Sequence, residues 1–380
     1  MQTRTFPKIP GEPVSILGFG CMRLPTIGGD MARIDEERAA ALVARAIDRG
    51  VNYVDTAYPY HAGTSEAFVG RALAGGLRDR VRLATKSPVW LVEKEKDWER
   101  LLDEQLRRLQ TDHVDFYLLH ALSGERWQKV LDLGGLAAME RARADGRIRH
   151  LGFSFHGSQN EFRTILGGYD DWEFCQIQLN YVDQEFQAGL PGLRAAAERG
   201  IGVVVMEPLR GGSLAKAPPE VEAIFARGPA RSAAEWGLRW LFNLPEVKVV
   251  LSGMNDDAQL DENLAVARDA RAGAMGPDEL SLIEEARAFY AARTKVPCTT
   301  CGYCQPCPNG VAIPDTFWLY NAGAVFGTKA SSGAWYRSQY VAHGAGGDAC
   351  VACGECEPKC PQGIKISDRL KEAHSYLTSD

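Results

Sequence analysis

From about residue 14 to residue 265 the chain alternates two kinds of segment: short apolar or β-branched runs, and longer amphipathic stretches. The runs ILGFG, NYVDT, VRLATK, VDFYLLH, IRHLGFS, FCQIQL, GVVVMEP and VKVVLSG read as strands, and the stretches between them as helices. In DEERAAALVARAIDRG, Leu42, Val43, Ala46 and Ile47 share a face, Asp35 stands where a cap is needed, and Gly50 can end the helix in a left-handed turn. In DWERLLDEQLRRLQ, Leu101, Leu102, Leu106 and Leu109 line one side. Eight such units predict an α/β fold, a closed (β/α)8 TIM barrel, with an open doubly wound sheet as the competing arrangement.

The alternation stops near Thr294, and the remainder is rich in cysteine, glycine and proline around DTFWLYNAGAVFG. We expect a barrel over 1–293 and a small α-helical, loop-rich domain over 294–380. Only Cys21 and Cys175 lie outside two tail clusters, each of four cysteines.

Composition narrows the partners. With 45% hydrophobic residues the chain can bury a large core, and a net charge of -6 without a basic patch argues against nucleic acid or an anionic membrane surface. No apolar run approaches the roughly 18 residues of a membrane span, and MQTRTFPKIPGEPVSILGFG lacks the apolar stretch of a signal peptide. A cytoplasmic location is therefore expected, and in a reducing compartment clustered cysteines more often bind metal than form disulfides.

Polar residues at the C-terminal ends of barrel strands face the active site. VDTAYPYHAGTSEAFVG follows the second strand, LATKSP ends the third and YLLH ends the fourth, so Asp55, a tyrosine, Lys86 and His120 should converge. A tyrosine with its reference pKa of about 10 exchanges protons poorly at neutral pH. A nearby Lys86 ammonium would lower that value, Asp55 would hold the lysine, and His120 would hydrogen-bond a substrate carbonyl oxygen. On this reading Tyr58 competes with Tyr60 for the acid role.

In this order and on these elements, the set resembles the aldo-keto reductase superfamily over roughly the first three-quarters of the chain. The family pattern Asp-Thr-Ala-x-x-Tyr selects Tyr60, ATK supplies Lys86, LLH supplies His120, and Glu66 and Gly70 are spaced as in the family. The resemblance implies hydride transfer between NAD(P)H, bound without a glycine-rich Rossmann turn, and a small carbonyl or alcohol substrate. It also implies that Ser154 and Gln176 contact the carboxamide, and that Met206 replaces an aromatic ring against the nicotinamide. Pro208, Leu209 and Gly211 would form the following loop, and Gly253, Gln259, Glu262 and Asn263 the adenosine side.

Two departures from the family pattern matter. Its usual Ser-Asn is Ser-Phe here, so Phe155 or His156 must occupy the space of an amide. Basic residues that often grip a 2'-phosphate are replaced by Asn255, Asp256 and Asp257. Carboxylates repel a phosphate dianion, which leans the site towards NADH unless Arg210 reaches over.

Cys350, Cys353, Cys356 and Cys360 follow C-x2-C-x2-C-x3-C-P, the bacterial ferredoxin spacing for 4Fe-4S clusters. Cys298, Cys301, Cys304 and Cys307 repeat it with one residue fewer before the last cysteine. By the ferredoxin rule, Cys298, Cys301, Cys304 and Cys360 hold one cluster, and Cys350, Cys353, Cys356 and Cys307 a second. Zinc would need only two C-x2-C pairs per site, whereas each set continues to a third evenly spaced cysteine and a Cys-Pro. The whole chain resembles the branch of aldo-keto reductases with a C-terminal ferredoxin-type 4Fe-4S domain. That implies clusters exchanging single electrons with a redox partner or the substrate, although a nicotinamide gives two electrons together and no flavin motif is evident. Two other classes stay open: an electron-transfer or redox-sensing protein with an inactive barrel, and a reductase with purely structural clusters. Trp90, Trp127 and Trp172 lie in or near loops that could line a pocket, though buried packing is the commoner use.

Overall fold

The computed structural model describes residues 1–298, 304–360 and 362–379. They fall into two compact units. The first comprises 1–184, 188–215 and 231–276, and the second 185–187, 216–230 and 277–380.

In the first unit, β1 (Thr3–Arg4) and β2 (Val14–Ser15) form a small antiparallel pair. Eight parallel strands follow: β3 (Leu17–Gly20), β4 (Tyr53–Asp55), β5 (Arg82–Ser87), β6 (Val114–Leu122), β7 (Ile148–Phe155), β8 (Phe174–Gln178), β9 (Gly202–Met206) and β10 (Val247–Ser252). They close in sequence order, with β10 pairing β3, so the sheet is a barrel and the open-sheet alternative is excluded. Each strand lies where its apolar run predicts it, to within two residues at either end. Val203, Val204 and Val205 of β9 are all fully buried, because a parallel barrel strand is covered by helices outside and side chains inside. Helix Glu36–Asp48 is capped by Asp35, whose side chain accepts from Arg38 N at 3.3 Å, and Gly50 follows it at φ +95°.

Phe6 and Ile9, between β1 and β2, close the N-terminal end of the barrel. They join Tyr53, Phe116, Phe174 and Val204 in one cluster, with Phe6 5.3 Å from Phe116 between ring centres. A Cβ at residue 202 would stand 2.0 Å from Phe6 Cδ1, so this plug requires Gly202. The opposite, C-terminal end is left for chemistry.

The second unit is helical and loop-rich, without a strand among its described residues. Helix Pro277–Ala292 belongs to it and packs with helix Pro219–Phe225, so the compact division lies ahead of the residue 293 expected from composition. Helices Ile313–Phe326, Lys329–Gln339 and Ile366–Thr378 pack on one another around Phe317, Tyr336, Leu370 and Leu377. Among the described residues, six cysteines lie against that core. Among the described residues, no helix is long and apolar enough to cross a membrane.

Candidate active site and cysteine cavity

At the C-terminal end of the barrel, Lys86 Nζ stands 2.7 Å from both carboxylate oxygens of Asp55, 2.8 Å from Thr56 O and 3.3 Å from Tyr60 Oη. Lys86 and Asp55 are buried, so their attraction is little screened by water. The His120 ring lies edge-on to Tyr60 with centres 6.3 Å apart, and its buried Nδ1 has no hydrogen-bond partner in the structure. The four residues of the sequence reading therefore converge. Tyr58 is turned elsewhere: its hydroxyl meets Glu104 at 3.1 Å and its ring lies under the Arg108 guanidinium at 4.1 Å.

Burial pushes the Tyr60 pKa above the usual tyrosine value, and Lys86 opposes this without overcoming it. The net direction is the reverse of the lowering expected from the sequence: the low-dielectric surroundings disfavour a phenolate more than one ammonium favours it. Burial likewise raises Asp55 against the pull of Lys86. Lys86 lies above its ordinary value, since burial is outweighed by Asp55 and Tyr60. His120 is held well below the histidine range, by burial first and Lys86 second. At neutral pH these directions give a protonated tyrosine, an ammonium and a neutral imidazole.

Local structure holds these groups. Glu66, fully buried, accepts from Gln105 Nε2 at 2.6 Å and Thr85 Oγ1 at 2.7 Å, while Gln105 Nε2 also reaches Lys86 O at 3.0 Å, pinning the backbone of β5 behind the lysine. His61 follows Tyr60 at φ +52° and ties its turn to the preceding loop, with Nε2 3.2 Å from Leu24 N and Nδ1 2.9 Å from Met31 O. Ala121, after His120, has φ +52° where the β6 to β7 register shifts, an irregularity of the kind that re-aims side chains beside active sites. Cys21, fully buried, is a neighbour of this site that the sequence reading did not single out, and burial pushes its thiol far above the ordinary cysteine value, so it stands there uncharged.

Ser154 and Gln176, adjacent on β7 and β8, are both buried. Ser154 Oγ accepts from Ala121 N at 2.7 Å, and Gln176 Nε2 meets Met206 Sδ at 3.5 Å while its buried Oε1 has no partner. An orphaned amide oxygen beside a thioether suits the carboxamide of a nicotinamide. Phe155 packs into the core against Phe162, with ring centres 5.1 Å apart, which leaves exposed His156 at the mouth. Pro208, Leu209 and Gly211 form the loop after β9. Arg210 does not reach the adenosine side: it pairs with Asp183 at 3.4 Å. Arg23 instead lies along these loops, since a Cβ at Gly253 would stand 3.0 Å from its Cβ and one at Gly211 would stand 3.1 Å from its Nη2.

Asp256 caps helix Asp257–Arg268 through Gln259 N at 2.8 Å, Gln259 Nε2 returns to Asp256 at 2.8 Å, and Asn263 Nδ2 reaches Ser252 Oγ at 2.8 Å. Asp257 is paired with Arg45 at 2.5 Å, and the same arginine holds Asp261. The repulsion expected from Asp256 and Asp257 is thus partly neutralised by a residue distant in sequence. Of the three tryptophans, Trp127 and Trp172 are buried packing, and Trp90 meets His120 at 5.1 Å between ring centres.

In the second unit, Cys304, Cys307, Cys350, Cys353 and Cys356 line one cavity, with Ile313 and Leu370 among its other walls. Four of these, Cys307, Cys350, Cys353 and Cys356, are the set the ferredoxin rule assigns to one cluster. Burial raises the Cys356 pKa, and the charges of Cys350 and Cys353 raise it further, as expected of thiols that only a cation can hold together as thiolates. Ala352 N points at Cys350 Sγ at 3.4 Å, a contact that stabilises a thiolate ligand. Cys298 and Cys360 pack on the same core as Cys304, and Cys301 lies outside the described residues. No three His, Cys, Asp or Glu side chains among the described residues converge as ligands of a single ion.

Comparison with known proteins matches residues 16–271 to the aldo/keto reductase family and 297–364 to a 4Fe-4S dicluster domain. The chain is 27% identical to an L-galactose dehydrogenase of Arabidopsis thaliana over 301 residues, 72% of this chain and 91% of that protein. It is 30% identical over 221 residues to the Schizosaccharomyces pombe aldo-keto reductase yakc [NADP(+)], 54% of this chain and 62% of that one. The holo form of aldo-keto reductase AKR11C1 from Bacillus halodurans superposes with a TM-score of 0.62 at 26% identity, over 75% of this chain and 96% of the other.

Proposed function

The chain belongs to the aldo/keto reductase family and carries a C-terminal 4Fe-4S dicluster domain; from that premise we propose that its barrel moves a hydride between a nicotinamide and the carbonyl or alcohol carbon of a small molecule. The nicotinamide, when bound, supplies or receives the hydride. Gln176 Oε1 and Ser154 would hold its carboxamide, Met206 would pack on its ring, Pro208, Leu209 and Gly211 would border it, and Gly253, Gln259 and Asn263 would shape the adenosine side. Neutral His120 directs the carbonyl oxygen towards Tyr60. As the carbon gains an electron pair with the hydride, the oxygen takes the Tyr60 proton, and in the alcohol direction Tyr60 takes it back. Lys86, fixed by Asp55, stabilises the phenolate that exists only while the proton is away.

The Lys86 contacts at 2.7 Å to Asp55 and 3.3 Å to Tyr60 are the observation that carries this reading. Replacing Tyr60 by Phe tests it: general acid catalysis contributes about 10² to 10⁴ in rate, so carbonyl-dependent nicotinamide oxidation should fall at least about a hundredfold while fold and iron content persist. Unchanged turnover would remove the acid role.

NADH is the preferred dinucleotide on this reading. Helix Asp257–Arg268 has no basic residue in its first turn, and a 2'-phosphate would have to compete with Asp257 and Asp261 for Arg45. The fission-yeast relative bears NADP(+) in its name, so the two dinucleotides should be assayed side by side. In the tail, two 4Fe-4S clusters held by Cys298, Cys301, Cys304 and Cys360, and by Cys307, Cys350, Cys353 and Cys356, exchange single electrons with a redox partner in the cytoplasm; the exposure of Cys353 supports such exchange.

A further inference from the structure

Arg126 stands beside the reacting groups without a part in the chemistry described so far. It lies in the first turn of helix Gly124–Asp132, which follows the strand bearing His120. Its Nη1 donates to Ala121 O at 2.7 Å, and its guanidinium lies over the Trp90 ring at 5.3 Å. Trp90 in turn lies tilted against the His120 ring, with centres 5.1 Å apart. Arg126 is therefore locked to the residue after His120 on one side and to an aromatic wall of the site on the other.

Three features set this arginine apart. Most arginines of the barrel are paired with a carboxylate, whereas Arg126 has no carboxylate within ion-pair distance among the described residues. It is half-buried, so its charge is less screened than that of a surface residue. It also occupies a helix N-terminal turn, where the dipole disfavours a cation and favours an anion. A planar guanidinium whose N–H groups are not taken up by a carboxylate of the protein is matched in geometry to a carboxylate ligand. Loops at the same end of the barrel, after β3 and β5, carry exposed apolar side chains, Met22, Ile27, Met31 and Leu91.

We propose that Arg126 grips an anionic group of the substrate, so that this barrel acts on carbonyls or alcohols with an apolar body and a carboxylate. The inference rests on the reading of Tyr60 and His120 as the groups facing the reacting carbon, and it selects among substrates of that site.

The test compares succinic semialdehyde and para-carboxybenzaldehyde with their methyl esters on the full chain, by kcat/KM with NADH and, separately, by calorimetric binding to the protein loaded with NAD+, which has no hydride to give them. For at least one pair the acid should be favoured about tenfold or more, as one charge-assisted contact commonly provides. Arg126→Gln should bring that acid-to-ester ratio near unity, and Arg126→Lys, which keeps charge without the planar fork, should recover part of it. Thermal melts of both variants check folding. Acids that bind preferentially in an Arg126-dependent way but are not reduced would uphold the anion site and overturn the hydride-transfer reading instead. Equal use of acids and esters, an unchanged ratio in Arg126→Gln, or no preferential binding of either acid would overturn the proposal.

Discussion

In the barrel, Lys86, Asp55 and Tyr60 hold one another by direct hydrogen bonds, and Glu66, Gln105 and Thr85 brace the strand behind them. In the tail, Cys307, Cys350, Cys353 and Cys356 surround a cavity and no disulfide joins them. The first site is organised by its own charges, with the Lys86 ammonium meeting acceptors on Asp55, Thr56 and Tyr60 of the same chain. Sulfur ligands repel one another as thiolates, so the second is organised by what it binds, and its folding energy is coupled to iron. On the function proposed above the contrast extends to electrons: the barrel groups would serve a pair moving with a proton, and the cysteine loops one electron at a time.

Lys86→Met breaks the barrel half of this comparison most severely. It removes the charge that stabilises the phenolate and leaves the Asp55 carboxylate buried and unpaired. Turnover should fall beyond about a hundredfold, and urea unfolding should show a loss of about 3–5 kcal/mol, the usual cost of breaking a buried pair. Cys353→Ser strikes the other half. One cluster should be lost, so iron and sulfide should drop by about half, and hydrogen exchange should quicken in helices Ile313–Phe326 and Ile366–Thr378 while barrel strands stay protected.

A smaller effect sharpens the electrostatic picture. His120 is held well below its ordinary value in the folded state, so the unfolded chain takes up this proton first. The stability it contributes is complete above the unfolded value of about 6.5 and is lost as pH falls below it, with a slope of at most about 1.4 kcal/mol per pH unit. Urea titrations from about pH 7 to pH 5 should show a shallower decline for His120→Gln than for the parent. The smallest effect is expected at the dinucleotide end. Replacing Asp257 and Asp261 by alanine releases Arg45 and should raise NADPH use over NADH by a few-fold at most, because the pair is exposed and screened.

The barrel was legible because its code is local. β-branched runs such as GVVVM are long enough to mark strands, and Asp55, Lys86 and His120 each fall at a strand end that the fold turns to one face. The choice between Tyr58 and Tyr60 needed the family pattern, since the contact of Tyr58 with Glu104 joins residues 46 apart. The raised Tyr60 pKa was not legible, because it depends on how completely surrounding elements exclude water. Arg45 and Arg126 were missed for a related reason: one matters through Asp257, 212 residues away, and the other through the absence of a carboxylate, which only three dimensions reveal. In the tail the cysteine spacing announced the iron chemistry, but the helices between the clusters carry mixed small and aromatic residues without a clean stripe, and their packing emerges only around Phe317, Tyr336 and Leu370.

The division of electrons between the two regions is tested most directly by adding NADH, then dithionite, to the freshly purified protein under anaerobic conditions while following the visible absorption of the clusters. With a hydride-transferring barrel, and no mediator able to split the pair, NADH should leave the absorption unchanged and dithionite should bleach it. Bleaching by NADH alone would contradict the account, because it would show that electrons pass from nicotinamide to iron within this chain.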